Sequence, residues 1–284
     1  MSDIRDKTVI ITGVSSGLGR ALAQKILEKG GRVAGTFRNK SQMSEFEAVA
    51  PGRAVALEMD ITNPAQIKAG VEKAIATFGR IDVLANNAGH GLVGAIEETS
   101  ELEAQRMLDI NFMGSLRVIR ALLPQMRQQK SGHIINYSAI GGFTGFPGLG
   151  VYSAAKAAVD IMGEALAGEV KPLGINVTIL TIGIFRTDFA GRSLQHTEQI
   201  LDAYKATPAG KFRGFISNLA GNQPNDPELA AEAMIKLIES EQPPLHLALG
   251  NDAIKTINTK IEQLQEDIKA WEKISTSTAF SQVK

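Results

Sequence analysis

TVIITGVSSGLGR, residues 8–20, begins as a short β-rich apolar run and turns at once into glycines at 13, 17 and 19. A helical pattern, GRALAQKILEKG, follows directly and is closed by Gly30 and Gly31, which suit a helix C-terminus. In a doubly wound sheet, ligands bind where strand C-terminal ends meet helix N-termini. Free backbone N–H groups and the helix dipole attract a pyrophosphate there. Glycine lets the backbone turn sharply and come within contact distance of that phosphate. A plain tight turn would use glycines too. Their place after the first strand of an alternating pattern favours nucleotide binding. The spacing is T-G-x-x-x-G-x-G, not G-x-G-x-x-G.

The alternation continues. Further strands are predicted at 32–37 (RVAGTF), 54–59 (AVALEM), 81–86 (IDVLAN), 133–138 (HIINYS) and 175–180 (INVTIL), with a weaker one at 245–249 (LHLAL). Amphipathic stretches separate them, so the fold class is α/β: a doubly wound, Rossmann-like parallel sheet with helices on both faces. No Pro- or Ser-rich linker and no internal repeat divides the chain, so residues 1–284 read as a single domain. Residues 183–226 break the rhythm with Gly, Pro, Phe and polar residues, as lids and binding loops do. Residues 251–274 form an additional C-terminal amphipathic helix. Its apolar residues at 254, 257, 261, 264, 268 and 271 follow the three-four spacing of a heptad seam. The preferred reading is a helix packed on its own subunit, with a partner contact as the alternative.

Bulk properties narrow the function. Thirty basic and thirty acidic side chains cancel, which leaves no footprint for nucleic acid or an anionic membrane. The opening MSDIRDKTVIITG is apolar for too few residues to make a signal peptide. No run approaches the roughly 20 apolar residues that span a bilayer. A cytoplasmic protein is the expectation. The chain has no cysteine, and its four histidines show no metal spacing, so no metal site is expected.

One pair is a candidate catalyst, although Tyr and Lys four apart also occur by accident and often only share a helix face. In YSAAK, Tyr152 precedes Lys156 by one helical turn, which puts both on the same face. Proton transfer to or from a substrate oxygen needs a positioned acid or base. A phenol with pKa about 10 is too weak a base at neutral pH. A unit charge about 4 Å away, at an effective dielectric near 20, contributes about 4 kcal/mol. At about 1.4 kcal/mol per unit, the ammonium would bring the phenol down by about two or three units, before desolvation is counted.

The glycine spacing resembles that of the short-chain dehydrogenase/reductase family, and further matches follow in order. NNAG at Asn86–Gly89 is similar to the family motif after the fourth strand, and Asp60 in EMDIT to the acidic residue beside the adenine. Asn111 in DINFMGS, Ser138 in INYSA, Tyr152 and Lys156 match the active-site set. The ordered motifs span residues 8–187. The resemblance implies that Asn111, Ser138, Tyr152 and Lys156 are catalytic. Ser138 would hold the substrate oxygen against Tyr152, Lys156 would bind the nicotinamide ribose, and Asn111 would fix a proton-relaying water. It implies a cofactor site made of Gly13, Ser15, Ser16, Gly17, Leu18, Gly19, Arg38, Asp60, Ile61, Asn87, Ala88, Gly89, Tyr152, Lys156, Gly183 and Thr187. One departure is TIGIFRTDF, where Ile182 stands in place of the family's proline while Gly183 and Thr187 remain.

The second strand bears on the cofactor. Members that prefer NAD end it with a carboxylate for the ribose hydroxyls. Here Phe37 occupies that position and Arg38 follows, and Arg38 with Lys40 or Ser15 would receive a 2′-phosphate. NADP(H) is the expected cofactor. Phe143, Phe146, Phe185, Phe189, Phe212 and Phe215 cluster near the site in sequence and favour an apolar or bulky carbonyl or alcohol, with core packing as the alternative. The resemblance also implies a homodimer or homotetramer built on helices near 104–128 and 152–171. The expected function is an NADP(H)-dependent oxidoreductase. The alternatives are a nucleotide-sugar epimerase or dehydratase of the extended type, and a non-catalytic NADP-binding redox sensor.

Overall fold

Strand β1 (Thr8–Ile11) is buried along its whole length, the pattern of an interior strand covered on both faces. A computed structural model, describing residues 3–191, 193–219 and 221–280, sets it in a seven-stranded parallel sheet. The other strands of that sheet are β2 (Arg32–Phe37), β3 (Ala54–Glu58), β4 (Val83–Asn86), β6 (Gly132–Tyr137), β7 (Ile175–Ile182) and β9 (His246–Leu249). Their order is β3-β2-β1-β4-β6-β7-β9, so the chain reverses direction across the sheet between β1 and β4. That switch point opens the crevice in which such sheets bind ligands. Two three-residue strands, β5 (Gly91–Val93) and β8 (Leu194–His196), pair parallel outside the main sheet.

The helices are α1 (Gly17–Glu28), α2 (Met43–Val49), α3 (Pro64–Phe78), α4 (Glu101–Leu108), α5 (Ser115–Gln129), α6 (Ile140–Phe143), α7 (Gly150–Val170), α8 (Pro208–Leu219), α9 (Pro227–Glu239) and α10 (Asn251–Thr276). Alternation along β1 sorts the core into two layers. Val9 and Ile11 pack with Leu22 and Ile26 of α1 and Met234 and Ile238 of α9. Ile10 points the other way, into Ile67 and Val71 of α3, Val118 and Leu122 of α5 and Leu166 of α7. Local chemistry fixes the ends. Asn63 accepts the N–H groups of Ala65 and Gln66 ahead of Pro64, and Gly79 closes α3 at φ 76°.

Two features position the site. A π-helical turn, Asp109–Gly114, joins α4 to α5 and carries Asn111; single π turns inside helices recur at functional sites. Beyond β7, the described residues of 183–226 hold β8 and α8 and contribute side chains to the cavity beside the glycine loop. The terminal helix departs from the expected packing on its own subunit. Its root is held, with Ala253 fully buried, but every residue from Ile261 to Thr276 is exposed. No helix among the described residues is long and apolar enough to cross a membrane. No metal-binding cluster of acidic residues and histidines occurs among them.

Candidate functional site

The loop after β1 is braced from behind. Asn87 Nδ2 donates to the carbonyl oxygens of Thr12 and Gly13, both at 2.8 Å, and Thr12 Oγ1 accepts the Ala88 N–H at 2.9 Å. Gly13 and Gly17 have φ of 72° and 60°, the left-handed region that favours glycine. Gly19 does not line the cavity; a Cβ there would collide with Asn87 Nδ2 and the Gly13 carbonyl, so it secures the brace. Ser16 precedes α1 and makes no side-chain cap. The first turn of α1 therefore presents N–H groups suited to an anion.

The loop opens into a cavity of about 610 Å³. Every other residue expected at the cofactor site lines it: Gly13, Ser15, Ser16, Gly17, Leu18, Arg38, Asp60, Ile61, Asn87, Ala88, Gly89, Gly183 and Thr187, with Tyr152 and Lys156. Asn111 and Ser138 line the same space. Asp60 Oδ1 accepts from the backbone N–H and hydroxyl of Thr62, at 2.8 and 2.7 Å. Phe37 turns inward, 4% exposed, with its ring 5.3 Å from that of Phe46, so the end of β2 has no carboxylate. Arg38 is exposed at the rim. Lys40 does not line the cavity, and its Nζ stands 3.0 Å from Glu58 Oε2. The glycine cradle, the uncapped helix start and this volume fit a dinucleotide.

Ile182 in place of a proline has a structural counterpart. β7 runs through Ile182, which registers with Leu249 of β9. The loop beyond is held by Asp252 from the first turn of α10, whose carboxylate accepts the Ile184 N–H at 2.7 Å. Asn225 Nδ2 donates to Asp252 Oδ1 at 2.7 Å and to the Ile184 carbonyl at 2.9 Å. Sequence reading missed both residues, since nothing local marks them.

Asn111 clamps the loop after β4. Its Nδ2 donates to the His90 carbonyl at 3.0 Å, and its Oδ1 accepts the His90 N–H at 3.2 Å. A Cβ on Gly89 would stand 2.5 Å from Asn111 Oδ1 and 3.6 Å from Lys156 Nζ, so this glycine leaves room where the two polar groups converge. Lys156 Nζ donates to the Tyr137 carbonyl at 2.7 Å. Ser138, 3% exposed, directly follows β6, and its Oγ makes no well-angled hydrogen bond.

Asp160, one turn beyond Lys156 and 8% exposed, is the third polar member of this helix face and was also missed. Its carboxyl flanks Ser138 Oγ across Gly142. Burial pushes Asp160 up to about 6, against the pull of Ser138, Lys156 and His246. Burial brings Lys156 down to about 8, with Asp160 opposing. Tyr152 moves upward, through burial first and the Asp160 carboxylate second. The expected lowering of the phenol by Lys156 is not seen here, where burial and then the Asp160 carboxylate set the direction.

The substrate side is aromatic. Phe146, Phe185, Phe189, Phe212 and Phe215 line the cavity, and the Phe189 ring lies 6.0 Å from that of Tyr152. Phe143, 39% exposed, does not line it.

The family profile described as short chain dehydrogenase matches residues 7–198. The chain belongs to the short-chain dehydrogenase/reductase family. It is 35% identical over 274 residues to "Oxidoreductase BOA17" of Botryotinia fuckeliana, covering 96% of this chain and 99% of that protein. It is 35% identical over 250 residues to "3-ketodihydrosphingosine reductase" of Bacteroides thetaiotaomicron, covering 87% and 89%. Among solved structures, a short-chain dehydrogenase from Streptomyces avermitilis superimposes with a TM-score of 0.89 at 39% identity, over 96% of this chain and 98% of that one. As a member of this family, the chain is an oxidoreductase that uses a nicotinamide cofactor.

Proposed function

We propose that this oxidoreductase uses NADP(H) to interconvert a bulky, apolar ketone or aldehyde with its alcohol, with Tyr152 as the acid and base. One observation carries the reading. The glycine loop, Arg38 and the Ser138, Tyr152 and Lys156 side chains all line a single cavity.

In the reducing direction a bound NADPH would supply the hydride, and the residues of this chain would place the substrate oxygen and provide the proton. The Tyr152 phenol, protonated at neutral pH, donates to the substrate oxygen. Ser138 Oγ, beside the Asp160 carboxyl and making no well-angled hydrogen bond, is available to hold that oxygen. Lys156 binds the ribose and steadies the tyrosinate as the proton leaves. Asn111 holds the 89–90 backbone beside it. Arg38 at the rim takes the 2′-phosphate, which the carboxylate of an NAD-preferring member would repel.

The aromatic wall supports a bulky apolar substrate, and the Bacteroides relative is named for a ketone reductase. A panel of long-chain and aromatic ketones, with 3-ketodihydrosphingosine among them, tests the reading by loss of NADPH absorbance. Turnover of a bulky ketone with NADPH is expected. Failure across the panel, with NADPH binding intact, would overturn the catalytic assignment.

A further inference from the structure

Helix α10 leaves the body of the protein while keeping an apolar seam. The exposed part, Ile261 to Thr276, extends roughly 24 Å at about 1.5 Å per residue. Along it Ile261, Leu264, Ile268 and Trp271 are 39%, 44%, 67% and 61% exposed. With Ile254 and Ile257 nearer the root they complete a heptad seam, Ile254, Ile261 and Ile268 at a positions and Ile257, Leu264 and Trp271 at d positions. A seam this regular is built to meet another helix, and none of the described residues covers its outer half.

We infer that the seam is covered by the same seam of a second copy of this chain, running antiparallel. The sequence of α10 is complementary to itself in that direction. Antiparallel layers pair Ile254 with Trp271, Ile257 with Ile268 and Ile261 with Leu264 of the second copy, symmetrically about a two-fold axis. The flanking positions agree. Lys260 faces Asp267 of the second copy on one side, and Asn258 faces Gln265 on the other. A parallel pair would instead set Asp267 against Glu272, two like charges. A bilayer surface is the other home for an amphipathic helix. Residues 251–276 carry four lysines against five carboxylates, whereas anionic lipid favours a basic polar face. This contact is separate from any built on the helices near 104–128 and 152–171, because α10 projects beyond the body.

The natural chain has no cysteine, so cysteines placed in it report the geometry alone. Lys260→Cys/Asp267→Cys, mildly oxidised at micromolar concentration, is expected to give a covalent dimer. Within one helix the two sites are about 10 Å apart, too far to bridge each other. Neither single cysteine variant should cross-link comparably. In sedimentation, Lys260→Glu or Asp267→Lys alone should weaken self-association about tenfold, and the two together should restore it. Trp271 is the only tryptophan, so its emission should shift to the red as the assembly dissociates on dilution. Absence of the double-cysteine dimer would overturn the proposal. So would tighter association of Asp267→Lys alone, which marks a parallel pair. A blue shift of Trp271 seen only with phosphatidylcholine/phosphatidylserine vesicles would assign the helix to a bilayer and overturn it as well.

Discussion

Asp252 Oδ2 accepts the backbone N–H of Ile184 at 2.7 Å, tying the root of the terminal helix to the loop that leaves β7. The carboxyl is packed so closely that side chains on Gly183 or Gly250 would strike it. The loop it holds runs on to Thr187, whose Cβ lies 3.6 Å from where a Cβ on Gly17 would stand. One carboxylate thus ties down the loop whose Thr187 approaches the glycine loop at Gly17. Asp252→Ala leaves the Ile184 N–H without its acceptor and the Asn225 amide with one acceptor fewer, and should cost about 1–3 kcal/mol of stability. NADPH affinity should fall with it while the response to ketone is kept. Thermal melts with and without cofactor check both effects, and an unchanged cofactor-induced shift in Tm would show that the tie does not reach the site.

Cofactor choice is expected to turn on Arg38. A charge-assisted hydrogen bond contributes roughly 1.5–3 kcal/mol, about ten- to a hundredfold in specificity. Arg38→Asp should give back most of that factor and bring NADH into use, since a carboxylate would then meet the ribose hydroxyls. The ratio of kcat/KM for NADPH and NADH measures it. Equal or better kcat/KM with NADH in the unmodified protein would overturn the NADP assignment.

The main sheet was legible in the sequence because its strands are continuous apolar runs bounded by helical patterns, the signature of burial on both faces. Three-residue strands such as β5 and β8 carry no periodicity, and only their pairing through Gly91 and Leu194 defines them. The glycine loop between β1 and α1 was legible because it is local: glycines, strand and helix adjoin in sequence. Asp252 and Asn225 act at sequence distances of 68 and 41 residues from Ile184, beyond any local signal. The terminal helix shows the limit of amphipathicity. A seam at heptad spacing says that something covers it, and only the fold shows that the cover is not the helix's own body. Titration direction was the least legible, because spacing places Lys156 near Tyr152 but says nothing of desolvation.

Asp160 offers a test of that desolvation by pH. Its folded pKa of about 6 lies above the ordinary value of 3.8, so the folded state binds the proton more tightly than the unfolded chain. The cost of holding it charged is present in full above pH about 6 and disappears as pH falls below about 4. Asp160→Asn should therefore raise stability at pH 7–8 by about 1–3 kcal/mol, at about 1.4 kcal/mol per unit, with the gain vanishing toward pH 4. Denaturant melts across this range check the sign.

The same carboxylate supports the charge on Lys156, which burial holds near 8. Above that pH the ammonium is lost, so kcat/KM for ketone reduction should fall as pH rises through about 8. Removing Asp160 removes the influence that raises Lys156, and the alkaline limb should move to lower pH in Asp160→Asn. A limb that stays in place would mean that Lys156 does not govern it.

The sharpest contrast is between Tyr152 and Lys156. Tyr152→Phe removes one hydroxyl and leaves the ring that meets Phe189 at 6.0 Å, so folding and NADPH affinity should hardly change. General acid–base catalysis contributes about 10²–10⁴-fold, and kcat should drop by about that much. Lys156→Met should damage both binding and turnover, because the ammonium is proposed to hold the ribose and to steady the phenolate. It also frees the Tyr137 carbonyl of its 2.7 Å donor. Melting curves would separate this structural loss from the loss of affinity, since a buried lysine brought down to about 8 by burial is itself costly to keep charged. Titrating NADPH fluorescence into each variant and following single turnovers gives the two readouts. Binding kept in Tyr152→Phe and weakened in Lys156→Met, with turnover lost in both, is the expected pattern. Near-normal turnover of a good ketone by Tyr152→Phe would reduce the tyrosine to a packing residue, and the proton would have to come from elsewhere in the cavity.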